Sequence, residues 1–508
     1  MPLRPFSRQQ AWLLPPTLGE LIHDDHPARF VAAFVDALGR AAWLELGVDP
    51  DGEELGAPAY DHRALLSVWL YGFMTGMRSC RKLEAACRDQ VPYLWLTGWQ
   101  HPDHNTLWRF YEYHRQTMPK LLKHTVATAI ETGLVDLAVQ ALDGTRIGAN
   151  AAGDRTHNAA ELHRLLNRAE AVIAELEAQN EAGDDPMPPR LPEGLQTAQA
   201  LRQQVQDAMT RLEKQGLSKI NLTDSDAQLM KARSGIVIGY NAQAMVSPVD
   251  TGAATGSGML ITAVDVVNSA ADSGQLVPML KQSEEVTGER SWVTLADGGY
   301  HTVANLTAGK HRGQTLVMPE RYQPELQNTY FKDQFKYDPP TDSYTCPRGR
   351  QLTFRGDRRS PVTGLRSIRV YRAPTATCRS CAAFGICTKD RRLGRALWIG
   401  PSDELLRQHR QWMQTDEAKN LYARRKELSE PTFGILKDQL GARRFLLRGL
   451  VNVRAEFALL ATAFNLRTLW RLLRPPAIGL RSHAAGAVAG TDWLSTRSYF
   501  GQAAGLAR

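Results

Sequence analysis

The segment Trp292-Val-Thr-Leu-Ala-Asp-Gly-Gly-Tyr300 joins a short apolar stretch to an acidic residue, Asp297, which two glycines follow. The earlier segment Leu134-Val-Asp-Leu-Ala-Val-Gln-Ala-Leu-Asp143 has the same form and predicts a strand that ends at Asp143. Other apolar runs predict strands at 235–247, 259–267 and 314–318, with helices between them at 273–286 and 302–308. Strands that alternate with helices indicate an α/β sheet.

The two strand-end aspartates, Asp143 and Asp297, are candidate metal ligands. In an open α/β sheet the carboxyl ends of the strands line the functional crevice, so we expect the two side chains to converge. Carboxylate oxygens suit Mg²⁺ or Mn²⁺, and two such ions can activate a water or a 3′-hydroxyl and stabilise the leaving oxygen of a phosphodiester. The alternative is that each aspartate, since a glycine follows it, only forms a turn.

A third candidate carboxylate lies in the predicted helix 420–437. Glu427 and Glu430 are three residues apart and so share one helix face. Pro431 is expected to break or kink the helix, which would place Glu430 at a helix junction. Basic residues flank this glutamate and are expected to hold phosphates while the carboxylate completes the metal site. They are Arg425, Lys426 and Lys437.

Four of the six cysteines fall in one region, with a Cys-x-x-Cys pair at Cys378 and Cys381 and further cysteines at Cys346 and Cys387. Four sulfur ligands suit a closed, tetrahedral, structural zinc site. Short strands predicted at 352–354 and 368–371 are typical of a zinc ribbon. Unpaired thiols, a redox pair and an iron–sulfur cluster are the alternatives.

The basic residues are unevenly distributed. The chain has 508 residues and a formal net charge of +8, but residues 346–396 contain 13 basic and 2 acidic residues, and residues 419–474 contain 12 and 4. Such asymmetry points to a polyanionic partner, although a solvated charged surface is the alternative. The sequence has no apolar run long enough to span a bilayer, and its few, clustered cysteines favour a reducing cytoplasm. No glycine-rich nucleotide-binding motif is present, so we expect no nucleotide cofactor.

The first 130 residues predict helices at 27–44, 62–77, 80–89 and 107–122. Asn105 or Thr106 is the expected N-cap of the last of these. This arrangement fits either a DNA-reading helix-turn-helix or a plain helical bundle. Apolar residues at three- and four-residue steps in 157–217 predict an inserted antiparallel helical hairpin.

Taken in order, these motifs resemble the D-D-E signature of bacterial insertion-sequence transposases. The resemblance rests on Leu-Asp-Gly-Thr at Asp143, Leu-Ala-Asp-Gly-Gly-Tyr at Asp297 and Ser-Glu-Pro-Thr-Phe-Gly-Ile-Leu-Lys at Glu430. The helical start, with Ile22-His-Asp-Asp-His-Pro-Ala-Arg-Phe30 and Tyr60-Asp-His-Arg63, is similar to that family's N-terminal domain. The C-terminal block of that family is similar to the closing run of this chain, Gly441-Ala-Arg-Arg-Phe-Leu-Leu-Arg-Gly449.

The family's helix motif is Tyr-x2-Arg-x3-Glu-x6-Lys. Glu430 and Lys437 match its last two positions, Lys426 stands where arginine is expected, and Ala423 replaces the tyrosine. The resemblance implies that Asp143, Asp297 and Glu430 form a metal triad for two Mg²⁺ or Mn²⁺ ions. It also implies DNA contacts by basic residues of the helix and of the closing run. These are Arg425, Lys426, Lys437, Arg443, Arg444 and Arg448.

The expected fold is an α/β ribonuclease-H-like core with an all-α N-terminal domain, a helical hairpin and a small zinc-ribbon-like insertion. The expected domains are a helical DNA-binding or dimerisation domain (1–130), the core (131–156 and 218–340), the hairpin (157–217), the zinc-binding insertion with its four cysteines (341–398), the C-terminal catalytic helices (399–474) and a flexible tail (475–508).

The expected function is that of a Mg-dependent DNA transposase, and its expected partner is double-stranded DNA. We expect the protein to be a homodimer or a larger homo-oligomer. Its expected location is the cytoplasm, in association with the nucleoid. One alternative is a ribonuclease-H-like nuclease that cuts DNA without joining it. The other is a non-catalytic, zinc-bearing DNA-binding protein derived from a transposase.

Overall fold

A computed structural model describes residues 17–49, 59–181, 193–232, 235–250, 257–321, 328–359, 368–390 and 392–473. The predicted flexible tail, 475–508, lies outside these residues. The described residues fall into two compact units. Unit 1 draws on Met1–Asp272, Pro278–Ser291 and Lys426–Arg508, and unit 2 draws on Ser273–Val277 and Trp292–Arg425.

The N-terminal part of unit 1 is helical, as predicted. Helix α3 lies at its centre, with every residue from Leu65 to Met74 buried. The helices are α1 (Pro27–Asp36), α2 (Arg40–Glu45), α3 (His62–Met74), α4 (Cys80–Asp89), α5 (Val91–Leu96), α6 (His104–His114) and α7 (Leu121–Glu131).

Three details of the predicted helices are wrong. The single helix expected at 107–122 is two helices, because the chain leaves α6 after His114 and a short 3₁₀ turn containing Pro119 precedes α7. Proline lacks the N–H group that a continuous helix needs. The segment 27–44 is likewise divided, with Gly39 as the N-cap of α2. The N-cap of α6 is neither Asn105 nor Thr106 but Asp103, whose carboxylate accepts from the Thr106 N–H at 2.7 Å.

The sheet of unit 1 is antiparallel and is built around one long strand. Its strands are β1 (Val139–Gly148), β4 (Gln228–Ala232), β5 (Gly235–Asp250) and β6 (Ser257–Val267). Strand β5 pairs with β1 on one side and with β4 and β6 on the other. Most of β5 is buried, from Tyr240 to Ser247.

The inserted hairpin is present as predicted. Helices α8 (Ala159–Glu181) and α9 (Glu193–Gln215) pack together, and the two-residue strands β2 (Thr156–His157) and β3 (Ile220–Asn221) pair at their base. The packing is apolar, with Leu162 of α8 against Val205 and Leu212 of α9. The hairpin therefore has an apolar core of its own.

The C-terminal helix of unit 1, α15 (Leu450–Leu473), packs on β6, α3 and α7. Its Asn465 is fully buried, and both the oxygen and the nitrogen of its side-chain amide form hydrogen bonds. The Asn465 Oδ1 accepts from the Ile261 N–H at 2.8 Å, and its Nδ2 donates to the Ile261 carbonyl at 2.8 Å and to Thr125 Oγ1 at 3.0 Å. One side chain thus joins α15 to the sheet and to α7.

Helix α10 (Leu276–Thr287) follows β6 in the chain, and helix α14 (Asp416–Gly434) leads into a π-helical turn at Ile435–Gln439 before α15. A break or kink at Pro431 was expected, and the break is absent, since α14 continues through Pro431 to Gly434. Proline removes one backbone donor, but Leu428, Thr432 and Phe433 around it are buried and hold the helix by packing.

Unit 2 begins with a β-α-β element. Strands β7 (Val293–Leu295) and β8 (Thr315–Val317) are parallel, and helix α11 (Val303–Arg312) connects them. The remainder contains helices α12 (Thr375–Arg379) and α13 (Asp403–Trp412) and an antiparallel sheet whose strands are neighbours in chain order. These strands are β9 (Lys336–Asp338), β10 (Ser343–Thr345), β11 (Gln351–Arg358), β12 (Ile368–Arg372) and β13 (Ala396–Ile399).

The strands predicted near the cysteines are therefore present as β11 and β12. Taken together, the described residues form a mixed α/β structure with a helical N-terminal region. None of the helices in the described ranges has the length and apolar character that crossing a bilayer requires.

Candidate active site and cysteine cluster

Asp143 lies in the middle of β1, which corrects the prediction that the strand ends there. The strand continues to Gly148 because β5 supplies a partner on both sides of Asp143, from Ala141 opposite Val246 to Gly148 opposite Gly239. Gly144 does not form a turn. A Cβ atom at this position would overlap with Gln243 Nε2, so a larger residue here would displace the side chain of Gln243 on the neighbouring strand.

The half-buried Asp143 shares a face of β1 with Thr145, because alternate residues of a strand point the same way. Asp143 Oδ1 accepts from the Gly144 N–H at 2.9 Å. Lys437 Nζ donates to Thr145 Oγ1 at 2.5 Å. The structure therefore brings a lysine ammonium to the strand face that carries the candidate aspartate.

The π-helical turn at Ile435–Gln439 positions this lysine. Short π-helical segments within α-helices are frequent at functional sites. Here the turn follows α14 directly, so Glu430 and Lys437 are held by one continuous helical segment. Glu430 is exposed, whereas Leu428 and Thr432 are buried, and the Thr432 hydroxyl donates to the Leu428 carbonyl at 2.7 Å.

Asp297 belongs to unit 2 and follows β7 by two residues, as predicted. Its Oδ1 accepts from the Gly299 N–H at 2.7 Å, and its carbonyl accepts from the Tyr300 N–H at 3.2 Å. These bonds fix a tight turn at the end of the strand. Asp143, Glu430 and Lys437 belong to unit 1. The convergence of all three carboxylates stays a prediction.

The basic residues of the closing run have structural contacts of their own. Arg444 donates to the carbonyls of Ala149 and Ala151, both at 2.8 Å, and Arg448 donates to the carbonyl of Asn150 at 2.9 Å. These bonds hold the segment 441–449 against the residues that follow β1. The side chain of Arg443, by contrast, is 74% exposed, and its Nη2 lies 2.5 Å from Asp438 Oδ1. Lys426 is exposed on α14, and Arg425 lies 5.9 Å from the ring of Tyr422.

A buried ion pair that sequence reasoning missed also holds this segment. Arg78 Nη1 donates to Glu456 Oε1 at 2.7 Å, and Arg78 Nη2 donates to the Arg444 carbonyl at 3.1 Å. Glu456 also accepts from the N–H groups of Leu446 and Leu447, at 3.0 Å each. Burial raises the pKa of Glu456, against the opposing effects of Arg78 and the two amides. An acidic residue inside the apolar run of α15 was the signal that could have found it.

The four clustered cysteines are free thiols that line one small cavity of about 20 Å³ in unit 2. Cys346 Sγ accepts from the Arg350 N–H at 3.2 Å, in a turn where the Gly349 N–H donates to the Cys346 carbonyl at 2.8 Å. Burial, together with the negative charge of the other three thiols, raises the pKa of Cys387, while Arg395 lowers it. Within the described ranges, no group of three or more His, Cys, Asp or Glu residues is arranged to hold a metal ion.

Two transposase family models match this chain. Residues 345–470 match the transposase DDE domain, and residues 16–113 match a transposase domain termed DUF772. Together the two matches support the identification of this chain as an insertion-sequence DDE transposase. No curated protein and no solved structure matches the chain.

Transposases act on DNA, and a DDE domain indicates an enzyme that cleaves or transfers DNA and generally uses a divalent metal. The DDE-domain match takes in Glu430, Lys437 and the four clustered cysteines, whereas Asp143 and Asp297 lie outside it. The second match begins at residue 16 and ends within α6, so it covers most of the N-terminal helices.

Proposed function

We propose that this chain is a DNA transposase that binds the terminal inverted repeats of an insertion sequence, cleaves the ends and joins them to target DNA. The observation that carries the proposal is the transposase DDE-domain match over residues 345–470, which contains Glu430 and Lys437. The contact between Lys437 and Thr145, two residues after Asp143, supports it, because it brings the matched segment to the strand of the first candidate aspartate.

We further assign the catalytic part to the ribonuclease-H-like class. Two features support this assignment. Unit 1 contains the antiparallel strands β1, β5 and β6 with an aspartate on β1, and unit 2 contains the parallel β7 and β8 with a connecting helix and an aspartate after β7.

The proposed triad is Asp143, Asp297 and Glu430. The donor set fits hard divalent cations, because all three are carboxylates, and backbone amides orient both aspartates through their Oδ1 atoms. A pair of Mg²⁺ or Mn²⁺ ions bound there would activate a water or 3′-hydroxyl and neutralise the leaving oxygen. Lys437, held by Thr145, would bind a phosphate oxygen beside Asp143 and so fix the scissile strand against the carboxylates.

The cysteine cluster is proposed to hold one structural zinc ion through Cys346, Cys378, Cys381 and Cys387. The four cysteines are among the residues that line a single cavity, and the amide-to-sulfur bond at Cys346 is of the kind that stabilises a thiolate. Arg395 also lines this cavity, and its charge favours the thiolate form of Cys387. Bound zinc would fix the end of the five-stranded sheet, as structural zinc sites do.

The partner is proposed to be double-stranded DNA, both the inverted repeats and the target, and the active form to be a homodimer or a larger homo-oligomer. Exposed cations of the helix α14 and the closing run support phosphate contact, above all Lys426 and Arg443. A cytoplasmic, nucleoid-associated location fits that partner.

The test is to incubate purified protein with DNA that carries the ends of its own element, in the presence of Mg²⁺, and to map the cut positions. Cuts at the element boundary, followed by joining of pre-cleaved ends to a target plasmid, are expected. Cutting without joining would indicate a nuclease instead. Binding without any Mg²⁺-dependent cutting would indicate a non-catalytic DNA-binding protein.

A further inference from the structure

Four basic residues adjoin the cysteine cluster of unit 2. They are Arg350, Arg379, Lys389 and Arg392, and they are termed the basic rim. Arg350 lines the cavity of the cysteines, and its N–H donates to Cys346 Sγ at 3.2 Å. Arg379 ends α12 and directly follows Cys378. The segment 388–394, which carries the other two residues, packs against the same cysteine, since a Cβ atom on Gly394 would lie 3.1 Å from Cys378 Sγ.

The basic rim is not neutralised by carboxylates. All four residues are exposed, and within the described ranges none of their side chains has a hydrogen-bond or ion-pair partner. The acidic residue of the segment 388–394, Asp390, has other contacts. Its Oδ1 accepts from the N–H groups of Arg392 and Leu393, at 2.9 and 2.8 Å, and its Oδ2 lies 3.9 Å from Arg372 Nη1. Asp390 therefore fixes the loop and does not pair with a side chain of the rim.

The cations around α13, also in unit 2, differ from the rim because each of them has a carboxylate partner. The pairs are Lys332 with Asp403, Arg407 with Glu404, and Arg410 with both Asp333 and Glu320. A surface that only needs to be soluble mixes both signs of charge in this way. Four clustered cations without acidic partners repel one another, and a bound polyanion relieves that repulsion.

A row of phosphates fits the basic rim better than one small anion does. The four cations come from three separate segments, namely the turn that ends at Arg350, helix α12 and the loop 388–394. The cavity between these segments measures about 20 Å³, which is room for about one water molecule. Guanidinium groups bind phosphate through two parallel hydrogen bonds, and a lysine binds it as a point charge. Cations on separate segments can each contact a different phosphate of one strand.

We propose that the basic rim binds the DNA backbone, as a contact surface in unit 2 that is additional to the cations of α14 and the closing run. The rim lies within residues 345–470, the segment that matches the transposase DDE domain. Phosphate contacts fix the position of a protein on DNA but do not read the sequence, so the rim contributes affinity and not sequence preference. This inference rests on the proposed function, because it requires that the chain binds DNA.

The experiment removes three cations of the rim at once, in the full chain, with Arg379→Ala, Lys389→Ala and Arg392→Ala. The matched control removes three exposed lysines of α9, α10 and α11, with Lys214→Ala, Lys281→Ala and Lys310→Ala. Within the described ranges these lysines also have no side-chain partner, so both triple variants lose the same net charge and no ion pair. Arg392→Ala alone is the second variant in case the rim triple variant does not fold, as judged by thermal unfolding.

Fluorescence anisotropy measures binding to the element's end between low and physiological salt. The slope of log affinity against log salt should fall in magnitude by about three for the rim triple variant and by about one for Arg392→Ala. The control triple variant should keep the slope of the unaltered protein. Because the contacts are to phosphates, the loss should be the same on a duplex of unrelated sequence.

A rim triple variant with the same slope as the control triple variant would overturn the proposal, and an acidic protein would then be the partner that the rim fits. A loss confined to the element's end would also overturn it, because the rim would then contact bases. If the unaltered protein binds and cleaves the ends while the two triple variants behave alike, only the role of the rim is wrong. If the unaltered protein neither binds nor cleaves the ends, the proposed function is wrong and the role of the rim falls with it.

Discussion

Asp143 and Glu430 are the carboxylates on which the proposed chemistry in unit 1 depends. Asp143→Asn and Glu430→Gln remove one negative charge each and keep the shape of the side chain. An asparagine Oδ1 can still accept from the Gly144 N–H. We expect either change to reduce Mg²⁺-dependent end cleavage by at least about a hundredfold, the scale on which loss of one charge-stabilising group slows an enzyme.

Gel-shift binding to the same DNA ends should persist in both variants. The control for Glu430→Gln is Glu427→Gln, which lies one turn earlier on the exposed side of α14 and is expected to cleave normally. Full cleavage by Asp143→Asn or by Glu430→Gln would remove that residue from the triad.

Thr145 is expected to position Lys437, because its hydroxyl accepts from the lysine Nζ at 2.5 Å. Thr145→Val keeps the shape of the side chain but removes the acceptor, whereas Thr145→Ser keeps it. We expect a fall of about tenfold in the single-turnover cleavage rate for Thr145→Val and a near-normal rate for Thr145→Ser, the scale found when partners of site residues are removed. Equal rates for the two variants would show that the hydroxyl does not matter.

At the scale of single residues, the sequence predicted the strand-end position of Asp297 correctly and that of Asp143 wrongly. Asp143 is followed by Gly144, and Asp297 is followed by Gly298 and Gly299, but the glycines serve different purposes. Gly299 donates to Asp297 in a turn, whereas Gly144 makes room for Gln243 on the paired strand. The role of Gly144 depends on Gln243, which is about a hundred positions away in the sequence, so no local pattern could reveal it.

At the scale of elements, local signals sufficed where the element is stabilised by its own residues. The hairpin α8–α9 has its own apolar core and was predicted at 157–217, and α4 was predicted with its observed bounds. The break that Pro431 alone would cause is absent, because the packing of Leu428, Thr432 and Phe433 outweighs the lost backbone donor. The π-helical turn that places Lys437 has no sequence signature of its own.

The cysteine-bearing sheet of unit 2 provides a prediction at the same scale. If the four thiols bind zinc, the purified protein should contain about one zinc ion per chain by elemental analysis. Cys381→Ser should lose it and lower the thermal unfolding midpoint by at least about 5 °C, because metal binding contributes to folding. Cys87→Ala, in the buried face of α4 in unit 1, is the control and should keep the zinc. A zinc-free protein whose unfolding is unchanged by Cys381→Ser would refute the site.

At the scale of the whole molecule, the charge distribution is the feature that the sequence showed most directly. The excess of basic residues in 346–396 and 419–474 could be counted without a structure. Their individual roles could not, because they depend on what each guanidinium meets. Arg444 and Arg448 bond to backbone carbonyls beyond β1, whereas Arg443 is 74% exposed.

This difference leads to a prediction for the salt dependence of DNA binding. Each phosphate contact releases counter-ions, so the logarithm of the affinity falls linearly with the logarithm of the salt concentration. Arg443→Ala should reduce the magnitude of that slope by about one and leave the unfolding midpoint unchanged, since the residue is exposed. Arg444→Ala should instead lower the free energy of unfolding by roughly 1 kcal/mol, because the carbonyls of Ala149 and Ala151 lose their charged donor.

Fluorescence-anisotropy titrations between low and physiological salt, paired with thermal unfolding of each variant, separate the two effects. An unchanged slope for Arg443→Ala would show that this exposed arginine does not contact the DNA backbone, and the proposed phosphate contact by Arg443 would then be wrong.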